Sequence, residues 1–389
     1  MSTRTLLFTD CVDFVGSACK PFPGMKKYVS TGAVDVDHIN DSDTEIVDYD
    51  GKPSRANLEV MAGDVLFAKM QGTKKTLLIN PVLANHIYST GFCAVRAKDG
   101  ILTERCLYHL LTSEMFLSQK DKNCSGATQK AITNTGLGKI VIHVPSVEEQ
   151  NNIADQLDAV IGIITKRQQE LSALDDLIKA RFVEMFGDML INPKGLPEKR
   201  LDSLANIVSG ITKGRKAKTD ELYEVPYMAV SNVKDGYIDW TTVKTIMATA
   251  GEIDQYRLLP DDVLMTEGGD PDKLGRGAII HEPPQDCIHQ NHIFRVRLMK
   301  NVLLSVYMAQ YLQQQKAKRY FLGCAKQTTG IASINMRQLS ALPVLVPPMK
   351  EQEDYAAFVT QVDKSKIVVQ KALDEAQLLF DSLMQQYFG

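Results

Sequence analysis

Two stretches of the chain carry apolar residues at a period that no strand or loop keeps. From Glu148 to Gly187 there is no proline, and positions spaced alternately four and three apart read Ile153, Leu157, Val160, Ile164, Arg167, Leu171, Leu174, Ile178, Arg181 and Met185. In a second stretch the same spacing reads Tyr355, Val359, Val362, Lys366, Val369, Leu373, Ala376, Phe380, Leu383 and Tyr387. Eight of the first ten and nine of the second ten are apolar. A 3.5-residue period held over five heptads predicts a long helix that packs along another helix. Each stretch opens just after a proline-containing segment with acidic residues in its first turn, Glu148 and Glu149 or Glu351, Glu353 and Asp354, which suit the positive end of a helix. Each closes on Phe-Gly, and Gly187 is a natural C-cap. Forty residues of helix run to about 60 Å. The seam assigns helix pairing to Leu157, Ile164, Leu171, Ile178, Val359, Val369, Leu373 and Phe380. Two matching seams in one chain pair most simply with each other, as an intramolecular antiparallel coiled coil; the alternative is a seam that dimerises the protein.

The seams belong to a larger repeat. Val144 to Gln150 reads VPSVEEQ and Val346 to Gln352 reads VPPMKEQ, an offset of 202 residues. The same ungapped offset carries Ile132 onto Ile334, Leu137 onto Leu339, Ala154 onto Ala356, Leu171 onto Leu373 and Phe186-Gly187 onto Phe388-Gly389. Upstream, with small shifts, Tyr28-Val29 matches Tyr227-Met228 and Asp64-Val65-Leu66 matches Asp262-Val263-Leu264. Self-similarity of this kind means one structural unit used twice. The expected organisation is a first globular domain over 1–145, a central long helix over 146–187, a second domain over 188–347 and a C-terminal long helix over 348–389, arranged with pseudo-twofold symmetry.

Inside the globular halves, short β-like runs (Asp64 to Ala68, Gly91 to Val95, Val225 to Val230, His292 to Val296) alternate with Gly, Asn and Asp turns. Thr103 to Lys120 and Val302 to Tyr320 read as helices. The fold class is α+β, each half closing on a strand, Ile140 to Val144 or Leu342 to Val346, that leads through proline into its long helix.

Charge separates the same four segments. The net value is −3, yet residues 1–145 hold 16 basic and 15 acidic side chains and residues 188–347 hold 20 and 17, against 4 and 8 in 146–187 and 4 and 7 in 348–389. The cations cluster in glycine-rich turns of the domains, which reads either as a solvated face or as a way to hold phosphates beside a groove; if the domains meet DNA, the acidic helices would repel it and point to protein contacts instead. The candidate DNA-binding residues are Lys69, Lys74, Lys75, Lys130, Lys213, Arg215, Lys216, Arg276 and Lys326, several at equivalent places in the repeat. Lys316, Lys318 and Arg319 form a further basic cluster.

Catalytic signatures are missing. The sequence has no GxxxxGK[ST], no GxGxxG after a strand, no HExxH, no GxSxG and no Asn/Asp-Pro-Pro-Tyr tetrapeptide, so no nucleotide, metalloprotease, hydrolase or amino-methyltransferase site is readable. His289 and His292 bracket an HQNH segment without a third ligand and read as polar strand or groove residues. Seven scattered cysteines, none in CxxC, fit a reducing cytoplasm. Neither an apolar signal core nor a run of about 18 apolar residues occurs. No metal, cofactor or catalytic residue is expected, and the chain is not expected to be an enzyme.

Certain segments resemble a known family. Val225 to Tyr237 (VPYMAVSNVKDGY), Thr266 to Gly277 (TEGGDPDKLGRG), Cys287 to Arg297 (CIHQNHIFRVR), Ser125 to Lys130 (SGATQK) and the two Pro-x-x-x-Glu-Gln helix openings are similar to the DNA-specificity subunits of type I restriction-modification systems, over essentially the whole chain. In the first half Lys69-Met-Gln-Gly72 stands where that family often carries arginine and more glycine. The resemblance implies two target-recognition domains that each read half of a split double-stranded DNA sequence. It also implies two separating helices, and partners in the form of modification (methyltransferase) subunits, two in number, and restriction (helicase-nuclease) subunits held through the complex. The competing reading is a coiled-coil scaffold that never touches nucleic acid.

Overall fold

Straight-chain residues and alanine dominate the two heptad stretches and lose little freedom in a helix. The computed structural model describes residues 3–214, 221–269, 274–328 and 331–389. In it the stretches are single helices, Val147–Phe186 and Met349–Phe388. All twenty positions of the 3.5-residue seams are buried or half-buried, while neighbours such as Thr165, Lys179, Lys364 and Gln377 are exposed. Contacts divide the chain into two compact units, Met1–Gln169 with Gln370–Gly389, and Glu170–Val369, so each long helix contributes to both.

In the first unit, strand Arg4–Leu7 pairs antiparallel with Val141–Val144, and the chain then passes through Pro145 into the first long helix. An antiparallel sheet runs in the order Val12–Phe14, Phe92–Ala97, Val65–Ala68, Thr76–Leu78. A second sheet runs Glu45–Val47, Lys26–Val29, Ile87–Ser89, Ala56–Leu58, with its central pair parallel. Strand periodicity divides the core. Val65 and Phe67 join Leu107 and Phe116 of the helices Glu104–Thr112 and Glu114–Lys122, whereas Leu66 and Ala68 join Val29 and Tyr88 of the second sheet. The end of the final helix completes this unit: Phe388 is buried with Ile153 and Leu157, Phe380 and Leu383 pack against them, and the Tyr387 hydroxyl donates to Gln156 Oε1 at 2.8 Å.

The second unit repeats the plan. Glu198–Arg200 pairs with Pro343–Leu345, and a sheet runs Ala205–Ser209, Ile293–Leu298, Val263–Thr266, Gly277–Ile279. A second sheet runs Lys244–Ala248, Tyr223–Met228, Ile288–His289, the last pair parallel. Val263 and Met265 face the large core, and Leu264 the smaller one. Asp175 pairs with Lys366 at 2.6 Å, Arg181 lies over the Phe358 ring, and Phe186 meets Tyr355 edge-on at 5.6 Å. Numbers rise along one helix as they fall along the other, so the two run antiparallel here.

The helix expected over Thr103 to Lys120 is two helices. Ser113 is extended (ψ 146°), ends the first, and caps the second by accepting from Phe116 N; a short hydroxyl side chain competes with the helical backbone in this way. Val302 to Tyr320 likewise divides into Ser305–Leu312 and Gln315–Cys324.

Candidate nucleic-acid interface

The repeated Asp-Val-Leu segment has a shared structural job. Asp64 and Asp262 are each 1% exposed. Asp64 accepts from Met61 N and pairs with Arg96 on the adjacent strand; Asp262 accepts from Leu259 N and pairs with Arg297. Each carboxylate ties off the turn before its strand and neutralises an arginine on the next, which fixes the strand whose far end enters a cation-bearing loop.

In the first unit that loop follows Val65–Ala68 and is held from beneath. Lys120 is buried, and its ammonium donates to the carbonyls of Thr73 (2.8 Å) and Met70 (3.2 Å), while Asp121 accepts from Gly72 N at 3.0 Å. Gly72 has φ +74°, a turn conformation that favours glycine. The segment holding Lys130 lies alongside: Gln71 N donates to Lys130 O and Ile132 N to Lys69 O. The structure therefore brings Lys69 and Lys130 together on one edge. Lys74 is instead paired with Glu114, and Lys75 donates to the carbonyl of Thr31. Sequence reading missed Lys120, which shares a helical face with buried Phe116 and Leu117; that placement is the only signal it gave.

In the second unit the equivalent loop follows Val263–Thr266 and continues as Gly268–Gly269. That short strand pairs with Ile331–Ser333, which pairs with Lys326–Thr328. Lys326 is exposed, and Arg276 lies opposite the loop, its carbonyl accepting from Thr266 N. Lys213 is exposed two residues beyond Ile211, which bridges to Gln290. Gly210 makes that bridge possible, since a Cβ there would lie 1.9 Å from the His289 carbonyl oxygen. Arg215 and Lys216 fall outside the described residues. The stretch 301–347 holds five basic and no acidic residues, Lys316 among them paired with Glu198.

His289, one of the HQNH pair, is buried, with its ring nitrogens 3.0 and 3.3 Å from the carbonyl oxygens of Tyr256 and Val208, and burial pushes its pKa down to about 4. His292 sits at the surface, its Nδ1 2.5 Å from Glu267 Oε2. Among the described residues no group of three or more His, Cys, Asp or Glu is placed to hold a metal ion, and no helix is long and apolar enough to cross a membrane.

The glutamines of the Pro-x-x-x-Glu-Gln motifs join each domain to its helix. Gln150 is fully buried; Nε2 donates to the carbonyls of Ile101 and Pro145, and Oε1 accepts from Thr103 N. Gln352 makes the same three bonds with Val302, Pro347 and Leu304.

Known proteins share this arrangement. A model of the type I restriction modification DNA specificity domain matches residues 16–173 and again residues 193–376, one match per repeat. The specificity subunit of the type I restriction enzyme EcoKI of Escherichia coli (strain K12) is 22% identical over 308 residues, 76% of this chain and 66% of that protein. The putative type I restriction enzyme MjaX specificity subunit of Methanocaldococcus jannaschii is 26% identical over 187 residues, 48% of this chain and 44% of that one. The match to the EcoKI subunit thus spans slightly less than two thirds of its length. The S subunit of a type I restriction-modification system from M. genitalium superposes with a TM-score of 0.56 at 16% identity, covering 100% of this chain and 96% of that one. A chain solved in a study of complex assembly and conformational transition of the type I R-M system gives 0.58 at 21% identity, over 99% and 97%. At these identities the structural likeness is one of fold; the sequence model matched over both repeats goes further, and on it the chain belongs to the type I restriction-modification DNA specificity family.

Proposed function

We propose that this chain is the non-catalytic, DNA-reading specificity subunit of a cytoplasmic type I restriction-modification complex. Residues 1–145 and 188–347 each grip one half of a split double-stranded target, helices 146–187 and 348–389 set the gap, and two modification subunits dock on the helices. Restriction subunits join through that complex, and methyl transfer and cleavage belong to the partners. The observation that carries this reading is the specificity-domain match falling once on each repeat, with cation-bearing loops at the ends of equivalent strands, Val65–Ala68 and Val263–Thr266.

The test is to co-express the chain with modification subunits in a host lacking other methylation and sequence the methylome. The expected result is one split motif carrying modified adenines. An assembled complex that leaves DNA unmodified, or that modifies an undivided motif, overturns the reading. Calorimetry of the purified chain with S-adenosylmethionine is expected to give no stoichiometric binding.

A further inference from the structure

Three candidate cations of the second unit, Lys213, Arg276 and Lys326, lie on segments joined by backbone pairing to the neighbourhood of a group that phosphates repel. An open groove there is lined by Val230, Glu267, Gly268, His292 and Ser333. Lys326 is the strand partner of Ser333, and Ser333 that of Gly268, so at about 4.8 Å per strand the backbone of Lys326 lies about 10 Å from that of Gly268. Arg276 accepts through its carbonyl from Thr266 N, next to Glu267 in the chain, and Lys213 emerges two residues after the Ile211–Gln290 bridge. The Glu267 carboxylate lines the groove, paired with His292.

Glu267 is held in place. Its N–H donates to His292 O (3.0 Å), its carbonyl accepts from Ile334 N (2.8 Å), and its Oε2 is engaged by His292 Nδ1. His292 is fixed in turn by the preceding corner, where Ile293 N donates to Gln290 O, Asn291 N to Ile211 O and the Ser209 hydroxyl to Asn291 O. Residue 268 is glycine because its strand packs tightly on the next: a Cβ there would meet Ala332 O at 3.0 Å and Ser333 Cβ at 3.2 Å.

A carboxylate facing a duplex that carries a charge every 1.7 Å or so gains nothing from the phosphates. The groups on a base edge from which it accepts a hydrogen bond are exocyclic amines, and in the major groove the pairing that suits a carboxylate is with cytosine N4. Resting on the DNA-reading function proposed above, we infer that Glu267, oriented by His292, is a specificity-determining residue of the second domain. With Oε2 held by His292, Oε1 accepts from the N4 amine of one cytosine in the second half-site. Arg276, Lys326 and Lys213 hold the flanking phosphates.

The experiment selects targets from a random duplex pool with the full chain co-assembled with its modification subunits, comparing the parent with Glu267→Gln, His292→Gln and Lys326→Ala. In the parent one position of the second half-site is expected to be cytosine. Glu267→Gln is expected to reduce discrimination at that position about ten- to a hundred-fold, and His292→Gln to blur the same position. The first half-site should be unchanged in both, which also reports that the variant chain is folded and assembled. Lys326→Ala is expected to weaken binding to all sequences and leave the selected motif intact. Unaltered preference in both groove variants, or loss of the whole second half-site in both, overturns the inference while the parent's split target leaves the subunit reading standing. A parent that selects no split target overturns that reading instead.

Discussion

Gln150 and Gln352 each satisfy one backbone N–H and two carbonyls in places closed to water. An unsatisfied buried polar group costs about 1–3 kcal/mol, so Gln150→Leu, with similar volume and no amide, is expected to lower the stability of the first unit by about 3 kcal/mol or more. The check is the urea midpoint of the full chain, with the second unit's transition unmoved. His289 supplies a pH dependence. Burial holds its folded pKa near 4, below the ordinary 6.5. As pH falls through 6.5 the unfolded chain takes up the proton and the folded chain does not, so this contribution to stability is complete above about 6.5 and lost between 6.5 and 4. A difference of that size corresponds to a loss on the order of 3 kcal/mol. His289→Gln is expected to flatten the fall in urea midpoint between pH 7.5 and 4.5. His109 is shifted down in the same direction, burial again the largest cause, so some slope from the first unit should persist.

At the scale of elements, the long helices are amphipathic along their whole length, but the seam is not uniformly deep. Val362 is 6% exposed, whereas Leu171 and Leu373 are half-buried. An unpaired carboxylate at a buried site costs about 3–5 kcal/mol, so Val362→Asp is expected to destabilise the chain by that much, and Leu171→Asp or Leu373→Asp by about 1–2 kcal/mol, since water still reaches those positions. Thermal melts that leave all three variants like the parent contradict the pairing. The acidity of the helices has an internal use as well: Arg105 pairs with Asp155 and Asp158, and His109 Nε2 lies 2.7 Å from Asp158 Oδ1. The helix charges that looked reserved for partner proteins in part hold the chain's own first domain.

For the whole molecule, two measurements address the division of labour. Lys69 and Lys130 share an edge, whereas Lys74 and Lys75 are engaged by Glu114 and Thr31. Lys69→Ala and Lys130→Ala are therefore each expected to reduce the slope of log affinity against log salt by about 0.9, with smaller changes for Lys74→Ala and Lys75→Ala. Deleting one heptad from each long helix, 168–174 and 370–376, keeps the seam in register and shortens each helix by about 10 Å. Under the proposed function both half-sites should survive in a methylome while the gap between them contracts by up to about three base pairs, at roughly 3.4 Å each. Changed half-sites with an unchanged gap contradict a spacing role for the helices.

Periodicity and repetition were written in the linear sequence. The 3.5-residue seam depends only on helical geometry, and every seam position came out at least half-buried. The repeat offset foretold two units of one plan, down to Asp64 and Asp262 doing the same work. The break at Ser113 escaped because a hydroxyl capping the next helix looks, in sequence, like any polar position on a helix surface. What remained illegible was every relation made by long-range packing and strand register: Lys69 beside Lys130, buried Lys120 on its helix under the loop it supports, and Glu267 against His292, 25 residues away in sequence. Local periodicity tells which face of a strand a side chain occupies and nothing about which distant strand lies next to it. The tertiary structure decided which of the candidate cations share an edge and which are held by the chain's own groups, and it set the Glu267 carboxylate against His292 in a groove of the second unit.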